Sequence, residues 1–281
     1  MFRCASCLTN KFISYRYISG FALIQCVKCG LLQTKTSESE RFKYVQKKYS
    51  VRYAQEYKNA WSKLNQRFAR HMALIERYSS GKKLLDIGCG TGYFLKYLTK
   101  QYSSWSVFGV EPSNILRKEA IKNTGLEIRD GELCNIPFKD NCFDVVTCYD
   151  VLEHDARLAK NIDELKRVLK PGGLLFVQAP NYKSIMAMIT GNYWDWWCIP
   201  DHVLHFSYLY LIKYLKTNGF TIQESYTYED RLDYMSNIKG KFSSNYLLKL
   251  IYIFLIPLFL ISEWIGWLTN RGGLIVVVAR K

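Results

Sequence analysis

The chain has 281 residues, 49% of them apolar, with 39 basic against 24 acidic side chains and a formal net charge of +15. That content excludes a chain too polar to bury a core, and the length allows one large domain or one domain with a small module. The basic excess favours anionic partners (nucleic acid, an acidic membrane surface or a phosphorylated substrate), or marks a soluble protein with a basic surface.

Residues 1–32 read as a unit of their own. Cys4-x-x-Cys7 and Cys26-x-x-Cys29 are separated by 18 residues, the spacing of a four-cysteine zinc site, and Gly30 follows the second pair where a knuckle turn needs a flexible backbone. The intervening ISYRYISGFAL alternates enough for a short hairpin. Four thiolates leave no open coordination position, so such a zinc would be structural. A coincidental set of thiols, or a redox pair, is the alternative. Met1-Phe2-Arg3-Cys4 leads into polar residues rather than a long apolar run, so no secretory leader is read there. Nine cysteines, an odd number, then fit reduced thiols and a cytoplasmic location.

Residues 33–80 are polar and then helical. From Tyr53 to Tyr78 the residues Tyr53, Tyr57, Trp61, Leu64, Phe68, Met72 and Ile75 recur at intervals of three or four, which predicts one or two amphipathic helices. They pack on the following domain, and Tyr53 and Tyr57 are candidates to cover its pocket. From residue 81 to 281 strands and helices alternate. Strands are predicted at 83–87, 106–110, 126–130, 143–149, 174–179, 221–228 and 274–279, and helices at 93–100, 115–122, 159–169 and 208–218. This order predicts an α/β, doubly wound, mostly parallel sheet with its ligand at the carboxyl ends of the strands.

The chemistry starts at Leu84 to Gly92, LLDIGCGTG. An apolar strand ends in Asp86, a glycine turn follows through Gly88, Cys89, Gly90 and Gly92, and a helix begins at once. The turn lacks the GxGxxG spacing and the lysine of a phosphate loop. The next strand ends in Glu111, placed to accept the two hydroxyls of a ribose. The third strand leads to Glu132-Leu133 near the same pocket.

LLDIGCGTG, VFGVEPS, GELCNIPF, FDVVTCYDVLEH and LKRVLKPGGLLFVQAPN occur in order and at matching intervals. They resemble the class I S-adenosylmethionine-dependent methyltransferases, closely over residues 82–181 and more loosely over the rest of the sheet. The resemblance implies a Rossmann-like seven-stranded sheet and S-adenosylmethionine as cofactor. It implies that Gly88, Cys89, Gly90 and Gly92 approach the methionyl part, with Asp86 beneath it. Glu111 would take the ribose hydroxyls, Glu132 and the Leu133 amide the adenine, and Tyr149 and Asp150 would lie beside the methyl group. His154, after Glu153 at the pocket mouth, is the candidate base. Asp150, Glu153 and His154 are also similar to the acid–acid–His pattern that ubiquinone-biosynthesis O-methyltransferases associate with a divalent metal. The alternative is structural: Glu153 caps a helix and His154 packs.

Within residues 182–206, the acceptor-side loop, lies GNYWDWWCIPDHVLHF at 191–206. It is similar to a Trp…Pro-x-His…His-Phe-Ser segment of sugar, lipid and cell-envelope methyltransferases. Its tryptophans suit stacking on a sugar or a flat apolar acceptor. His202 is a second candidate base, and His205 reads as a loop anchor.

An apolar insertion at 240–270 contains LLKLIYIFLIPLFLISEWIGWL, residues 247–268. Lys249 and Glu263 flank the run, Pro257 breaks it, and the 274–279 strand must return to the sheet, so a helical hairpin or kinked helix in a membrane interface is expected rather than a span. Trp264, Trp267 and the basic excess suit an anionic leaflet. A homodimer face or a lid over an acceptor channel are the other readings. The whole predicts a methyltransferase acting on a small or lipid-linked acceptor (a sugar, cell-envelope or quinone-like molecule), transferring to oxygen, peripheral on the inner face of a membrane. RNA methylation with a zinc-binding recognition module is the alternative enzyme, and a cofactor-binding scaffold the non-enzymatic one.

Overall fold

A computed structural model describes residues 2–37, 39–41, 44, 61–229 and 264–281. Tyr53, Tyr57 and residues 247–263 of the predicted segments lie outside the described residues. The first three strands are β1 (Phe12–Ile18), β2 (Phe21–Cys26) and β3 (Leu32–Lys35). Helix α1 (Trp61–Tyr78) leads into an alternating series. The series runs β4 (Lys83–Ile87), α2 (Tyr93–Gln101), β5 (Ser106–Val110), α3 (Asn114–Thr124), β6 (Ile128–Arg129), β7 (Phe143–Tyr149), α4 (Leu158–Val168) and β8 (Leu169–Pro180). It continues with α5 (Ile185–Thr190), β9 (Leu204–His205), α6 (Tyr208–Thr217), β10 (Thr221–Tyr228) and β11 (Leu274–Arg280).

The main sheet has the order β10-β11-β8-β7-β4-β5-β6. Strands β4, β5, β6, β7 and β8 are parallel, and β11 runs antiparallel between β8 and β10. The α/β, doubly wound, seven-stranded architecture is the expected one. Period-2 alternation sends side chains to two cores. Leu85, Val146, Cys148 and Val177 pack under α4 and α6, against Ile162, Leu165, Leu211 and Leu215. Leu84, Val145, Phe176 and Val276 pack under α1 and α2, against Leu64, Phe68, Met72, Ile75, Phe94 and Leu98. The stripe on α1 is thus the apolar face that its three- and four-residue spacing predicted. Neighbours β5 and β7 flank β4 on opposite sides, so β4 is the switch point, and the crevice lies at its carboxyl end.

Two local features differ from expectation. β6 is two residues long, at the sheet edge, where five were predicted. Among the described residues it pairs only with β5, and Asp130 beyond it turns outward to Arg117 at 3.0 Å. The 182–206 segment contains a helix, α5, and two 3-10 turns (Gly191–Tyr193 and Asp195–Trp197).

The amino-terminal strands form a separate antiparallel sheet, β1-β2-β3-β9. Its fourth strand comes from the far end of the acceptor-side loop: Leu32 pairs with His205 and Gln33 with Leu204. The Thr34 amide donates to the Val203 carbonyl at 3.0 Å. Cys4 and Cys7 sit in the turn before β1, Cys26 ends β2 and Cys29 lies in the turn after it, where Gly30 has φ +82°.

Candidate functional site

The carboxyl end of β4 builds one half of the site. Gly88, Gly90 and Gly92 all have positive φ, and a side-chain carbon at Gly90 would meet open space. At Gly88 and Gly92 it would instead strike Val151 at 2.8 Å and Thr124 at 2.9 Å. Glycine is therefore required twice for packing and once to leave the turn bare. Cys89 contributes backbone to this turn, its amide bonded to Val110, while its side chain packs beside Leu95, Ala120 and Ile128. Glu111 is buried at the end of β5 and accepts from the amides of Gly90 and Ser113, both at 2.9 Å. Its carboxylate retains lone pairs for further donors. Asp86 is buried and accepts from the Thr147 hydroxyl at 2.7 Å. Burial pushes Asp86 up to about 7 and also raises Glu111. The Thr91 hydroxyl is buried without a hydrogen-bond partner. Two desolvated acids, an orphaned hydroxyl and a bare glycine turn fit a cationic ligand that carries hydroxyls.

The other half follows β7. Tyr149 is buried on the α1 side, its ring stacked on His71 at 5.3 Å and its hydroxyl unpartnered. Burial holds His71 well below its ordinary range, and hence neutral. Asp150, at φ +53°, accepts from Gln178 at 2.8 Å, and Gln178 in turn accepts from the Tyr228 hydroxyl at 2.7 Å. A 3-10 turn then carries Leu152–His154. Glu153 is 1% exposed, neither of its carboxylate oxygens has a hydrogen-bond partner, and burial pushes it up to about 8 despite His154. His154 Nδ1 lies 3.1 Å from Asp201 Oδ1 and 3.3 Å from the Asp201 carbonyl. Both partners accept, so Nδ1 carries the proton and Nε2 is the basic nitrogen. His202 Nδ1 lies 2.9 Å from the Trp196 carbonyl and is fixed the same way. The two rings meet edge to face at 4.7 Å.

Ligand atoms of Glu153, His154 and His202 all lie within 4.8 Å of one another. The group holds His202 where the expected trio had Asp150. Gln178 holds the Asp150 carboxylate, and His202 arrives from the loop because the Val203 amide bonds the Glu153 carbonyl at 2.9 Å. A buried carboxylate and two imidazoles with hydrogen-bonded far nitrogens fit a divalent cation.

Glu132 and Leu133 are placed less simply. The Glu132 carboxylate is more than half exposed and accepts from Arg157 at 2.7 Å, while the Leu133 side chain enters the core. His205 is the loop anchor expected of it: its Nε2 is 2.8 Å from the Thr34 hydroxyl, and burial drives it down to about 3. Sequence reasoning gave Asp201, His71 and Thr147 no role. Only Asp201 carried a signal, as the acid immediately before His202.

In the small sheet the Cys4 and Cys29 sulfurs lie 3.5 Å apart, as do those of Cys7 and Cys26, and all four fall within 4.8 Å. The shared hydrogen bond lowers the Cys29 thiol and raises Cys4 in return, so a thiolate and a thiol sit side by side in the cluster. Four sulfurs so grouped fit a tetrahedral zinc. Among the described residues no helix is long and apolar enough to cross a membrane.

Residues 53–225 match the family model described as a methyltransferase domain. A ubiquinone biosynthesis O-methyltransferase of Actinobacillus pleuropneumoniae is 36% identical over 124 residues, covering 40% of this chain and 52% of that one. A Mycobacterium ulcerans protein named "Probable phthiotriol/phenolphthiotriol dimycocerosates methyltransferase 2" is 31% identical over 106 residues, 37% of this chain and 41% of its own. The chain thus spans about half the length of these curated relatives. A solved S-adenosylmethionine-dependent methyltransferase from Archaeoglobus fulgidus shares the fold, with a TM-score of 0.54 at 19% identity, over 79% of this chain and 94% of that one. The glycine turn, the strand-end acids and the strand order agree with that family match, and the chain belongs to the methyltransferase domain family.

Proposed function

We propose that the protein methylates an oxygen of a small-molecule or lipid-linked acceptor at a membrane interface. The observation that carries this reading is the His154 dyad with Asp201 at the crevice mouth, backed by His202 from a loop rich in tryptophan. In this reading S-adenosylmethionine supplies a methyl group already activated by a positive sulfur. Gly88, Cys89, Gly90 and Gly92 cradle its methionyl part, Asp86 takes the ammonium group, and Glu111 takes the ribose. Glu132, once it exchanges Arg157 for the adenine, and the Leu133 amide close the far end, with Tyr149 and Asp150 beside the methyl. Asp201 holds the His154 ring, and His154 Nε2 removes the acceptor proton as the acceptor oxygen is brought into line. Glu153 and His202 shape the same corner. A divalent cation on Glu153, His154 and His202 would instead make His154 Nε2 a ligand, and would supply Lewis acidity to the acceptor oxygen in place of that base.

Residues 1–32 are the zinc module in this reading, 33–80 the linker and cover, and 81–281 the catalytic domain. The two named relatives, a quinone-pathway and a lipid-type methyltransferase by their names, support the acceptor class. RNA methylation is the competing reading, favoured by the +15 charge and the thiol cluster. Incubation with methyl-labelled S-adenosylmethionine and separate lipid, sugar-nucleotide and RNA fractions decides between them. Label in the lipid or sugar fraction is expected. Label in RNA alone would establish the competitor, and none anywhere with the cofactor bound would remove the reading.

A further inference from the structure

Helix α5 begins just past the carboxyl end of β8, on the edge of the sheet that carries the His154 cluster. It buries Ala187 against the small core of Trp194 and Trp197, and turns Met188 and Ile189 outward at 61% and 70% exposure. Tyr193, in the next turn, is 85% exposed. The helical residues 264–269 adjoin this surface. The Ile185 amide bonds the Arg271 carbonyl at 2.9 Å, and the Arg271 guanidinium reaches the Met188 sulfur at 3.9 Å.

In 264–269 the helix shows Trp264, Ile265, Trp267 and Leu268 to solvent, and only Gly266 is buried. A helix that presents apolar side chains nearly all round violates the pattern of a water-facing helix. Basic groups rim the surface. Lys183 precedes α5 and is exposed, Arg271 is exposed, and Arg16 comes within 3.7 Å of a side-chain carbon built at Gly191. Exposed tryptophan and tyrosine beside lysine and arginine match the headgroup layer of an anionic bilayer in both polarity and charge.

We propose that this face, α5 with 264–268, seats the enzyme on an anionic lipid bilayer, so that a lipid-anchored acceptor passes from the interface to His154. The acceptor half of the proposal rests on the function proposed above; the docking half does not. Its surface lies outside the 247–263 segment, and that segment stays intact in every variant of the test.

The full chain is mixed with phosphatidylcholine vesicles, with and without phosphatidylglycerol, and sedimented. Binding to the anionic vesicles is expected, weakened by salt. Met188→Asp with Ile189→Asp should lower the partition coefficient at least tenfold, and Lys183→Gln with Arg271→Gln by about 25-fold, about fivefold for each charge. Unchanged S-adenosylmethionine affinity certifies that each variant is folded. Failure of the wild-type chain to bind anionic vesicles at low salt overturns the proposal whatever the variants do. So does wild-type vesicle binding by both folded variants, and so does conversion of a dimer to monomers without loss of vesicle binding. Vesicle binding without methyl transfer would remove the proposed function and leave the docking face standing.

Discussion

Asp201 holds His154 Nδ1, which makes Nε2 the basic nitrogen of the ring. The acid is 2% exposed and bonds both through its carboxylate and through its backbone carbonyl. In the proposed mechanism Asp201 acts only through the imidazole, which a double-mutant cycle can show. His154→Ala should lower kcat about 10²- to 10⁴-fold with S-adenosylmethionine affinity unchanged. Asp201→Asn should lower kcat by less and leave KM alone, and the double variant should be no slower than His154→Ala. Additive losses measured by steady-state kinetics would show that Asp201 does something else. Asp86 and Glu111 were legible in the sequence because each closes a strand within a motif, and a strand end has one place to go in this sheet. Asp201 was not, because its partner lies 47 positions away and only the folded loop joins them. The Gln178 bond of Asp150 was equally hidden, since 28 positions separate the two residues.

At the scale of elements, the small sheet holds the far end of the 182–206 segment. Strand β3 holds β9, and the Thr34 hydroxyl alone bonds both the His202 carbonyl at 3.0 Å and the His205 ring. The spacing of the cysteines made the thiol cluster legible, and the periodicity of 83–110, 143–149 and 274–279 made the main sheet legible. The β3–β9 pairing was not, because two residues are too few to show an alternation and their partner is remote. Given a zinc in the cluster, its removal should loosen β1 to β3 and, with them, His202. Thiol displacement on the intact chain is expected to release one zinc, followed colorimetrically, while Cys26→Ser with Cys29→Ser should release none, and chelation or that double substitution should abolish methyl transfer. S-adenosylmethionine affinity should fall no more than about threefold, since none of the residues proposed to hold it lies in that sheet. An equal loss of cofactor affinity would show that the module supports the whole domain instead.

At the scale of the whole molecule, stability is tied to charge on the buried acids. Asp86 titrates near 7 when folded and near 3.8 as a free side chain. Between those values the folded state holds the extra proton, so the free energy of unfolding from this group falls as pH rises from about 4 to about 7. The ligand-free enzyme should therefore lose urea resistance across that window, and Asp86→Asn should flatten the loss. Saturating S-adenosylmethionine should flatten it too, by placing an ammonium group beside the carboxylate. A wild-type midpoint that rises with pH, to the same extent as in Asp86→Asn, would exclude this account. The shared sheet also sets the order in which the chain can be completed. Thr34 leaves the ribosome 171 residues before its partner His205. At roughly 5–20 residues per second, β3 waits for roughly ten to thirty seconds with one edge open. During that interval the nascent amino terminus is a strand template without a strand, guarded by the charge of Lys35 beside that edge.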